Sequence, residues 1–539
     1  MLVHKLRTIC ELYLYFVLRE GQRKLSRRVP AKNEQDNATN TDWGNESMSH
    51  ATRGLLKADR NHYVIKVLVA AAIYLVFKIA PPPAPITEAG MEVAGLFICA
   101  IYCWLTLSVG WTSMAIIFML ATTGIYSMNQ VLQHSLGHSV TTMVLFCLMI
   151  NYVLRDSGVL RRIAIWILTR PFAMGSPWTF FAMYCLAVFL VGCFMPLTVT
   201  SIVFMALGAE ILESIGYEKG GKDKAGDVFA CATAWVAPVA ASATLISHPY
   251  PLLAIGFVSE KWGVKISMLD YMKVGIPLGL LWTAILFLML KIITRPDLSK
   301  LKNVDFKKLK ATVPTRTKRE TIALITFVLV LLLWIVPDLL EMFPAALNLT
   351  KLIRSLGSGG PVMLGCIIVL LLRADGKPVA ELQTMMCNVS WETVMLIACA
   401  MVLGDALVSE QAGVTVFLTD NIGPAISSFG GTIFILLAMI WVVIMTNFMS
   451  NAVCAMLVNV IGPISALVVG VNPIVVSVLV GAASNFSFAT AAATSSTAYV
   501  IGLKWTNPKF LFAYGFPMAL VGALLLTFAA YPLGVLFWT

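Results

Sequence analysis

Residues 433–469 read IFILLAMIWVVIMTNFMSNAVCAMLVNVIGPISALVV, an apolar run without a charged residue. The run is nearly twice as long as the roughly 20 residues that a helix needs to cross a bilayer. Polar side chains interrupt it near its middle, at Thr446, Ser450 and Asn451. We therefore expect two helices joined by a turn inside the membrane, which is a re-entrant hairpin. Because non-helical backbone is tolerated at that depth only inside protein or beside a cavity, the hairpin predicts a functional site.

The composition of the whole chain is typical of a membrane protein. Of its 539 residues, 58% are hydrophobic and 12% are charged, whereas about a quarter of the residues of a soluble domain are charged. This balance excludes a soluble enzyme, a disordered chain and a secreted disulfide scaffold. Most of the 11 cysteines lie inside apolar runs, where we expect them to pack as small hydrophobic side chains.

The net charge of +11 comes largely from basic residues that flank the apolar runs, a pattern that indicates cytoplasmic loops and not nucleic-acid binding. The basic segments are Lys5 to Lys32, Arg155 to Arg170 and Arg295 to Arg319. The first of them predicts an amphipathic helix on the membrane surface and is not a convincing signal peptide. We expect a multi-pass protein of the plasma or inner membrane, with its N-terminus cytoplasmic and its C-terminus extracellular or periplasmic.

The apolar runs predict an all-α polytopic membrane protein with about eleven transmembrane helices and two re-entrant hairpins. The first hairpin is expected at Phe180 to Leu212, interrupted at Gly192 to Ser201. Four regions are predicted: a cytoplasmic N-terminal segment with its linker, a first span with a first repeat, a basic cytoplasmic loop and a second repeat, at 1–60, 61–292, 293–319 and 320–539. Spans are expected to begin near Val64, Val93, Met114, Thr141, Val228, Val274, Thr321, Val362, Val394, Ile474 and Phe510.

Short motifs recur in the same order in the two halves of the chain. The matched pairs are Ser157-Gly158-Val159 with Ala412-Gly413-Val414, Ser247-His248-Pro249 with Ala493-Thr494-Ser495, and Gly275-Ile276-Pro277 with Gly515-Phe516-Pro517. An odd number of membrane crossings separates equivalent points, so the two copies are expected to be inverted. Inverted repeats with a binding site between them are typical of secondary transporters.

Four interruptions at membrane depth carry neutral hydroxyl and amide side chains. They are Met445 to Ala452, Ser484 to Ser487, Ala493 to Thr497 and Pro196 to Ser201. Hydroxyl, amide and carbonyl oxygens bind a hard cation such as sodium without fixed negative charge that repels an anionic substrate. Helix N-termini at such interruptions favour anions. The alternative for any single Ser or Thr is a hydrogen bond within its own helix or packing between helices.

These motifs resemble the divalent anion/sodium symporter family of the ion transporter superfamily, which carries di- and tricarboxylates or sulfate. Ser450-Asn451-Ala452 is similar to the family's Ser-Asn-Thr signature at a hairpin tip, and Ala243-Thr244-Leu245-Ile246 is similar to its Ala-Thr-Leu-Ile motif. In the first copy the signature is degenerate, because Leu197-Thr198-Val199 stands in its place. The resemblance extends from about Tyr63 to the C-terminus. It implies a homodimer that works by an elevator motion, with sodium bound near each hairpin tip.

The resemblance also implies roles for individual residues. Expected substrate contacts are Ser450, Asn451, Thr494, Thr198, His248 and Pro249. Expected sodium ligands are Thr446, Asn451, Ala493, Thr200 and Ser247. Sodium ions are the expected coupling ions, and no other cofactor is predicted. The expected partners are a small anionic substrate and the lipid bilayer.

His248 is the unusual member of this set, because an ionisable side chain at membrane depth is costly and often functional. With an ordinary pKa of about 6.5, it is suited to pair with an anion when protonated or to couple protons in place of a sodium ion. The alternative is a neutral histidine that is hydrogen-bonded between helices. Asp405 is the other candidate acid inside a span, and its position near the end of that span favours a role in the scaffold.

The main functional prediction is a sodium-coupled symporter for a divalent organic anion, such as a di- or tricarboxylate. The alternatives are a proton-coupled or exchange transporter of sulfate or another anion, and a cation/proton antiporter of the same superfamily. An enzyme is not expected. Val402-Leu403-Gly404-Asp405 resembles an intramembrane protease motif only superficially, and no His-Glu-x-x-His sequence occurs.

Overall fold

The computed structural model describes residues 50–313, 315–340, 347–426, 430–490 and 494–539. The chain divides into two units, Met1–Asn61 and His62–Thr539, and the second unit is described below. The predicted amphipathic helix and linker before residue 50 lie outside the described residues, as does the predicted sodium ligand Ala493.

The described residues are almost entirely α-helical. A small antiparallel ladder pairs β1, Arg373–Ala374, with β2, Lys377–Pro378. The α-helices are α1 His50–Ile79, α2 Glu88–Thr106, α3 Gly110–Leu120, α4 Met128–His134, α5 Ser139–Ser157, α6 Val159–Leu168, α7 Pro177–Gly192, α8 Leu197–Ser214, α9 Ala225–Ala243, α10 Pro249–Trp262, α11 Met268–Met289, α12 Phe306–Ala311, α13 Lys318–Leu340, α14 Leu347–Ser355, α15 Gly360–Leu371, α16 Leu382–Cys387, α17 Trp391–Val408, α18 Val414–Ile426, α19 Gly431–Phe448, α20 Asn451–Val469, α21 Pro473–Ala483, α22 Ser495–Gly502, α23 Pro508–Leu525 and α24 Tyr531–Phe537.

Polar caps mark the start of several helices that follow loops. Ser176 caps α7 in front of Pro177, and Asn472 caps α21 in front of Pro473. Proline suits the first helical position because the amide that it lacks would have no helical partner there. These helices therefore begin where the sequence changes from polar to apolar.

The prediction of a helical polytopic membrane protein is confirmed. Ten helices among the described residues are long and apolar enough to cross a bilayer, and the pair α14 and α15, bent by 77°, brings the number to 11 if it is one span. The helices that are long enough to cross the bilayer are not all the ones that we predicted. The runs at Met114 and Ile474 form the shorter helices α3 and α21, whereas the hairpin arms α8 and α19 are long enough to be counted.

Helix α9 lies deepest in the bundle. Of its spanning segment 94% is buried, compared with 28% for α13, and α9 packs against α7, α8, α11 and α22. The rings of Phe181 and Tyr184 on α7 contact Phe229 on α9. Helix α13 leaves apolar side chains such as Ile325 and Leu332 exposed, as a surface facing lipid requires.

Ion pairs gather several basic segments at one end of the bundle, which we name the basic end and define by Asp156, Arg162, Arg319 and Glu320. Arg319 pairs with Asp156 at 2.7 Å, and Arg162 pairs with the buried carboxylate of Glu320. These pairs connect α5 and α6 to the start of α13. Exposed ion pairs contribute little to stability. These pairs do show, however, which ends of α5, α6 and α13 lie together.

Two histidine-carboxylate pairs lie at the opposite end. His134 contacts Asp405 at 2.8 Å, and His138 contacts Glu260 at 2.7 Å. Tyr126 also donates a hydrogen bond of 2.8 Å to Asp405. Asp405 is thus bound by the segment between α3 and α5, which is the arrangement that a scaffold role requires.

The first matched glycine turns lie at different ends of the bundle. Gly158 has φ 82° beside Asp156, at the basic end. Gly413 has φ 69° and follows Gln411, whose carbonyl oxygen accepts a hydrogen bond of 2.7 Å from Thr87. These residues lie just beyond Asp405, at the opposite end. Equivalent turns therefore occupy opposite ends, as an inverted repeat requires.

The other matched glycines have the same packing role in both halves. Gly275 in α11 lies against the carbonyl oxygen of Ala243, at the end of α9, and Gly515 in α23 lies against the carbonyl oxygen of Phe488, in the interruption after α21. A β-carbon at these positions would be 2.4 Å and 2.7 Å from those oxygens. Each glycine therefore lets a continuous helix pack directly on interrupted backbone.

We expect Gly275→Ala and Gly515→Ala each to destabilise the protein by about 1–3 kcal/mol, because the added methyl group meets backbone that cannot move aside cheaply. Thermal unfolding of the purified protein in detergent measures the effect. Gly502→Ala is the matched control, since a β-carbon there meets no atom within 4 Å. Equal unfolding temperatures for all three variants would contradict the packing role.

Candidate functional site

Four helices begin at interruptions of the bundle and not at loops. They are α8 after Pro196, α10 after His248, α20 after Ser450 and α22 after Thr494. Among the described residues, the first three have no side-chain hydrogen bond to their first amides. Uncapped amides and the positive end of the helix dipole make such N-termini suitable for an anion.

In the second half, the hairpin tip contacts the interruption after α21. Thr446 Oγ1 lies 2.8 Å from Asn451 Oδ1 and 2.5 Å from the carbonyl oxygen of Ser484. Asn451 Nδ2 donates a hydrogen bond of 2.9 Å to Ser487 Oγ. All four residues are buried. The fold thus brings two of the predicted sodium ligands, Thr446 and Asn451, into one cluster of oxygen atoms.

Asn447 binds the same interruption through its side-chain amide. Its Nδ2 donates to the carbonyl oxygen of Phe486 at 2.9 Å, and its Oδ1 accepts from the amides of Phe488 and Ala489 at 2.9 and 2.8 Å. The side chain is fully buried. Asn447 therefore supplies hydrogen bonds to backbone groups that have left the helix.

In the first half, hydroxyl groups of the interruption after α9 bind the first hairpin tip. Thr244 donates to the carbonyl oxygen of Cys193, and Ser247 donates to that of Met195. Thr200 is fully buried, and its hydroxyl has no hydrogen-bond partner in the part of the chain that the structure describes. Of the predicted sodium ligands in this half, Ser247 uses its proton in the hydrogen bond to Met195 and keeps its lone pairs. The hydroxyl of Thr200 has neither a donor nor an acceptor among the described residues.

Hydroxyl contacts join the N-termini of α8 and α22, which belong to different halves. The hydroxyl oxygens of Thr198 and Ser495 lie 2.6 Å apart, and those of Ser201 and Ser496 lie 2.5 Å apart. Thr198 and Ser495 are exposed, whereas Ser201 and Ser496 are buried. The place where these helix N-termini meet, which we name the junction, therefore has an accessible edge beside a buried interior.

Helix α9 of the first half is also bound to the interruption of the second half. Asn485 Nδ2 donates to Ser242 Oγ at 2.9 Å, and Trp235 Nε1 donates to the carbonyl oxygen of Phe488 at 2.9 Å. Asn485 Oδ1 is buried without a partner among the described residues. The two interruptions are thus connected through the deepest helix of the bundle.

His248 precedes α10, which begins at Pro249. Its Nδ1 atom is buried and has no hydrogen-bond partner in the described ranges. The imidazole packs edge-on against the ring of Tyr250, with 4.3 Å between ring centroids. Among the described residues, the Nδ1 atom is therefore not engaged in a hydrogen bond between helices and is available to a ligand.

The two remaining predicted substrate contacts are Ser450 and Thr494. Ser450 is partly buried at the start of α20 and makes no capping hydrogen bond. Thr494 Oγ1 accepts a hydrogen bond of 3.2 Å from the amide of Thr497, so its hydroxyl is used to begin α22. Within the described structure no hydrogen bond joins Ser450 to Thr494.

Sequence reasoning gave no role to Asn447 or Ser242, and it counted Ser495 and Ser496 only among the neutral donors of a predicted interruption. For Asn447 a signal existed, namely an amide side chain in an apolar helix at membrane depth. Ser242 had no comparable signal. The partners of Ser495 and Ser496 lie 297 and 295 positions away in the chain, and no local pattern predicts such pairings.

The chemistry of the junction is that of neutral oxygen and nitrogen atoms. Across the described residues, no group of at least three His, Cys, Asp or Glu side chains is arranged to hold a metal ion. Hydroxyl, amide and carbonyl oxygens remain as ligands, and these suit a hard cation better than a transition metal.

This chain is similar to a known membrane protein and matches a known protein family. A protein described as "Membrane protein" from Cupriavidus necator strain H16 is 22% identical over 494 residues, which cover 86% of this chain and 91% of the relative. Residues 96–481, well over half of the chain, match the citrate transporter family, CitMHS. The matched region runs from α2 to α21 and contains both hairpins. Together with the polytopic helical fold, this match shows that the chain belongs to the citrate transporter family.

Proposed function

We propose that this protein is a secondary active transporter that moves a di- or tricarboxylate, such as citrate, across the plasma membrane together with sodium. The observation that carries the proposal is the junction of the interruptions, where uncapped helix N-termini lie beside neutral hydroxyl and amide groups. No carboxylate side chain takes part in the described hydrogen bonds of these segments. Such a junction suits an anion and a coupling cation at once.

The proposed sodium site of the second half consists of oxygens from Thr446, Asn451 and Ser484. Thr446 Oγ1 forms hydrogen bonds to the other two oxygen atoms, at 2.8 and 2.5 Å, so the three oxygens already face one another. A sodium ion bound there would replace these hydrogen bonds and move the oxygens apart. Ala493 completes the set implied by the resemblance to divalent anion/sodium symporters. Thr200 and Ser247 are the corresponding candidates in the first half.

The proposed substrate lies where the N-termini of the interrupted helices meet. Ser450, Asn451 and Thr494 would bind its carboxylates from the second half. Thr198, His248 and Pro249 would face it from the first half. This placement is supported by the exposed edge at Thr198 and by the absence of a capping hydrogen bond at Ser450.

An elevator motion is the proposed mechanism. The hydrogen bond that Ser242 accepts from Asn485 and the one that Trp235 donates to Phe488 support it, because they favour movement of both interruptions as one body. The repeats are proposed to occupy 61–292 and 320–539, joined by a cytoplasmic loop at 293–319. We also propose a homodimer with a cytoplasmic N-terminus and an external C-terminus, an orientation that agrees with the positive charge of the basic end.

Proton-coupled or exchange transport of sulfate or another anion is the second candidate. It is favoured by His248, whose buried Nδ1 lacks a partner among the described residues. A cation/proton antiporter is less well supported, because such a protein is expected to carry acidic side chains at its interruptions.

Uptake into proteoliposomes tests the proposed function. We expect radiolabelled citrate or succinate to accumulate when sodium is higher outside, and to accumulate more slowly when potassium replaces sodium. Sulfate and a proton gradient form the comparison arms. No uptake of any of these anions under any gradient would contradict the proposal, and equal uptake in sodium and potassium would exclude sodium coupling.

Thr446→Val and Asn451→Ala are expected to raise the sodium concentration for half-maximal uptake about tenfold or more, because each removes an oxygen ligand while leaving the helices in place. Sodium titration of citrate uptake measures the effect. Thr527→Val is the matched control, since the buried Thr527 hydroxyl only donates to Ala523 in its own helix. The same sodium concentration for half-maximal uptake in the wild type and all three variants would rule out this cation site.

His248→Ala is expected to abolish or strongly alter the pH dependence of uptake, because His248 is an ionisable side chain beside the interrupted helices and its Nδ1 has no partner among the described residues. Initial rates of citrate uptake between about pH 5.5 and 8 measure the effect in wild type and variant. Superimposable pH profiles would eliminate a role of His248 in proton coupling.

A further inference from the structure

We propose that Asn447 is a positioning residue, which holds the segment 484–490 in its binding geometry by acting as a substitute peptide group. This inference rests on the proposed function of the junction. In this proposal Asn447 binds neither sodium nor substrate. It determines the positions of the atoms that bind them.

The geometry of the Asn447 side chain reproduces that of a backbone peptide unit in a ladder. Its amide group donates to the carbonyl oxygen of Phe486 and accepts from the amide of Phe488, both at 2.9 Å. The Oδ1 atom also accepts from Ala489, and Nδ2 donates to the carbonyl oxygen of Val443 in its own helix. Within the described structure, both atoms of the side-chain amide are therefore fully used.

The backbone of Asn447 contributes one more contact. Its carbonyl oxygen accepts a hydrogen bond of 2.6 Å from Thr490 Oγ1. The side chain and main chain of this one residue thus bind Phe486, Phe488, Ala489 and Thr490. Buried backbone groups without partners are costly, so losing these contacts would leave several backbone groups of the segment unsatisfied.

The residues fixed by Asn447 lie directly beside the proposed binding atoms. Ser484, whose carbonyl oxygen contacts Thr446, precedes them, and Ser487, which accepts a hydrogen bond from Asn451, lies among them. A shift of the segment by about 1 Å would move these oxygens out of contact range. Asn447 therefore links the conformation of the interruption after α21 to the position of the hairpin tip.

Few other side chains satisfy this arrangement. Aspartate keeps an acceptor for the two amides but has no N–H group for Phe486, and alanine offers neither group. Glutamine has the same amide one methylene further from the backbone and does not fit a fully buried site without displacement. The pattern of four hydrogen bonds thus requires the amide of asparagine.

The test compares wild type, Asn447→Ala and Asn447→Asp in proteoliposomes, with two measurements. Hydrogen-deuterium exchange followed by mass spectrometry reports the protection of the amides of Phe488 and Ala489. Citrate uptake gives KM and the maximal rate separately. Asn459→Ala is the matched control, because Asn459 is an equally buried amide that joins two intact helices through Ser477.

For Asn447→Ala we expect exchange at residues 488–489 to accelerate at least tenfold and the KM for citrate to rise at least tenfold, with a smaller change in maximal rate. Asn447→Asp is expected to keep much of the protection, because it retains an oxygen for both amides. Asn459→Ala is expected to leave exchange in this segment and KM within twofold of wild type.

Unchanged protection in Asn447→Ala would overturn the inference, and so would faster exchange with an unchanged KM, since the segment would then not position the binding atoms. Failure of the proposed function is seen separately, as absence of citrate uptake by the wild type. In that case the exchange experiment still decides whether Asn447 holds the segment.

Discussion

Backbone that leaves the helix at membrane depth must find hydrogen-bond partners inside the protein, because hydrocarbon offers none. The interruptions after α9 and α21 depend on this constraint. After α21, carbonyl and amide groups of the interruption are bound by side chains of neighbouring elements; Asn447, for example, accepts hydrogen bonds from the amides of Phe488 and Ala489. After α9, hydroxyl groups of the interruption itself bind carbonyl oxygens of the first hairpin tip. The protein can therefore expose helix N-termini to a ligand only where the surrounding helices supply these partners.

The same requirement explains why the two halves are joined at their centre. Trp235 in α9 donates to the carbonyl oxygen of Phe488, and Ser242 in α9 accepts from Asn485. Helix α9 is buried along almost its whole length, so these bonds form in a medium where an unpaired group is costly. The second-half interruption is thus bound to the helix that leads into the first-half interruption.

Much of the architecture was predictable from sequence, because spans and interruptions follow from local composition. The glycine motifs at Gly158 and Gly413 lie at opposite ends, and Gly275 and Gly515 pack on interrupted backbone in the same way. The site was less predictable. The hydroxyl of Thr494 was assigned to substrate but begins a helix, a role that depends on how the chain turns at that point.

The sequence by itself determined which segments can enter a bilayer, where their helices must break and which end carries the basic residues, since these depend on local hydropathy and charge. Only the tertiary structure decided which polar groups are already paired and which remain open to a ligand. Ser247 is engaged by the first hairpin tip, whereas Thr200 and His248 retain unpaired atoms among the described residues. The physical reason is that a hydroxyl or an imidazole nitrogen has few bonding positions, and distant parts of the chain determine whether they are occupied.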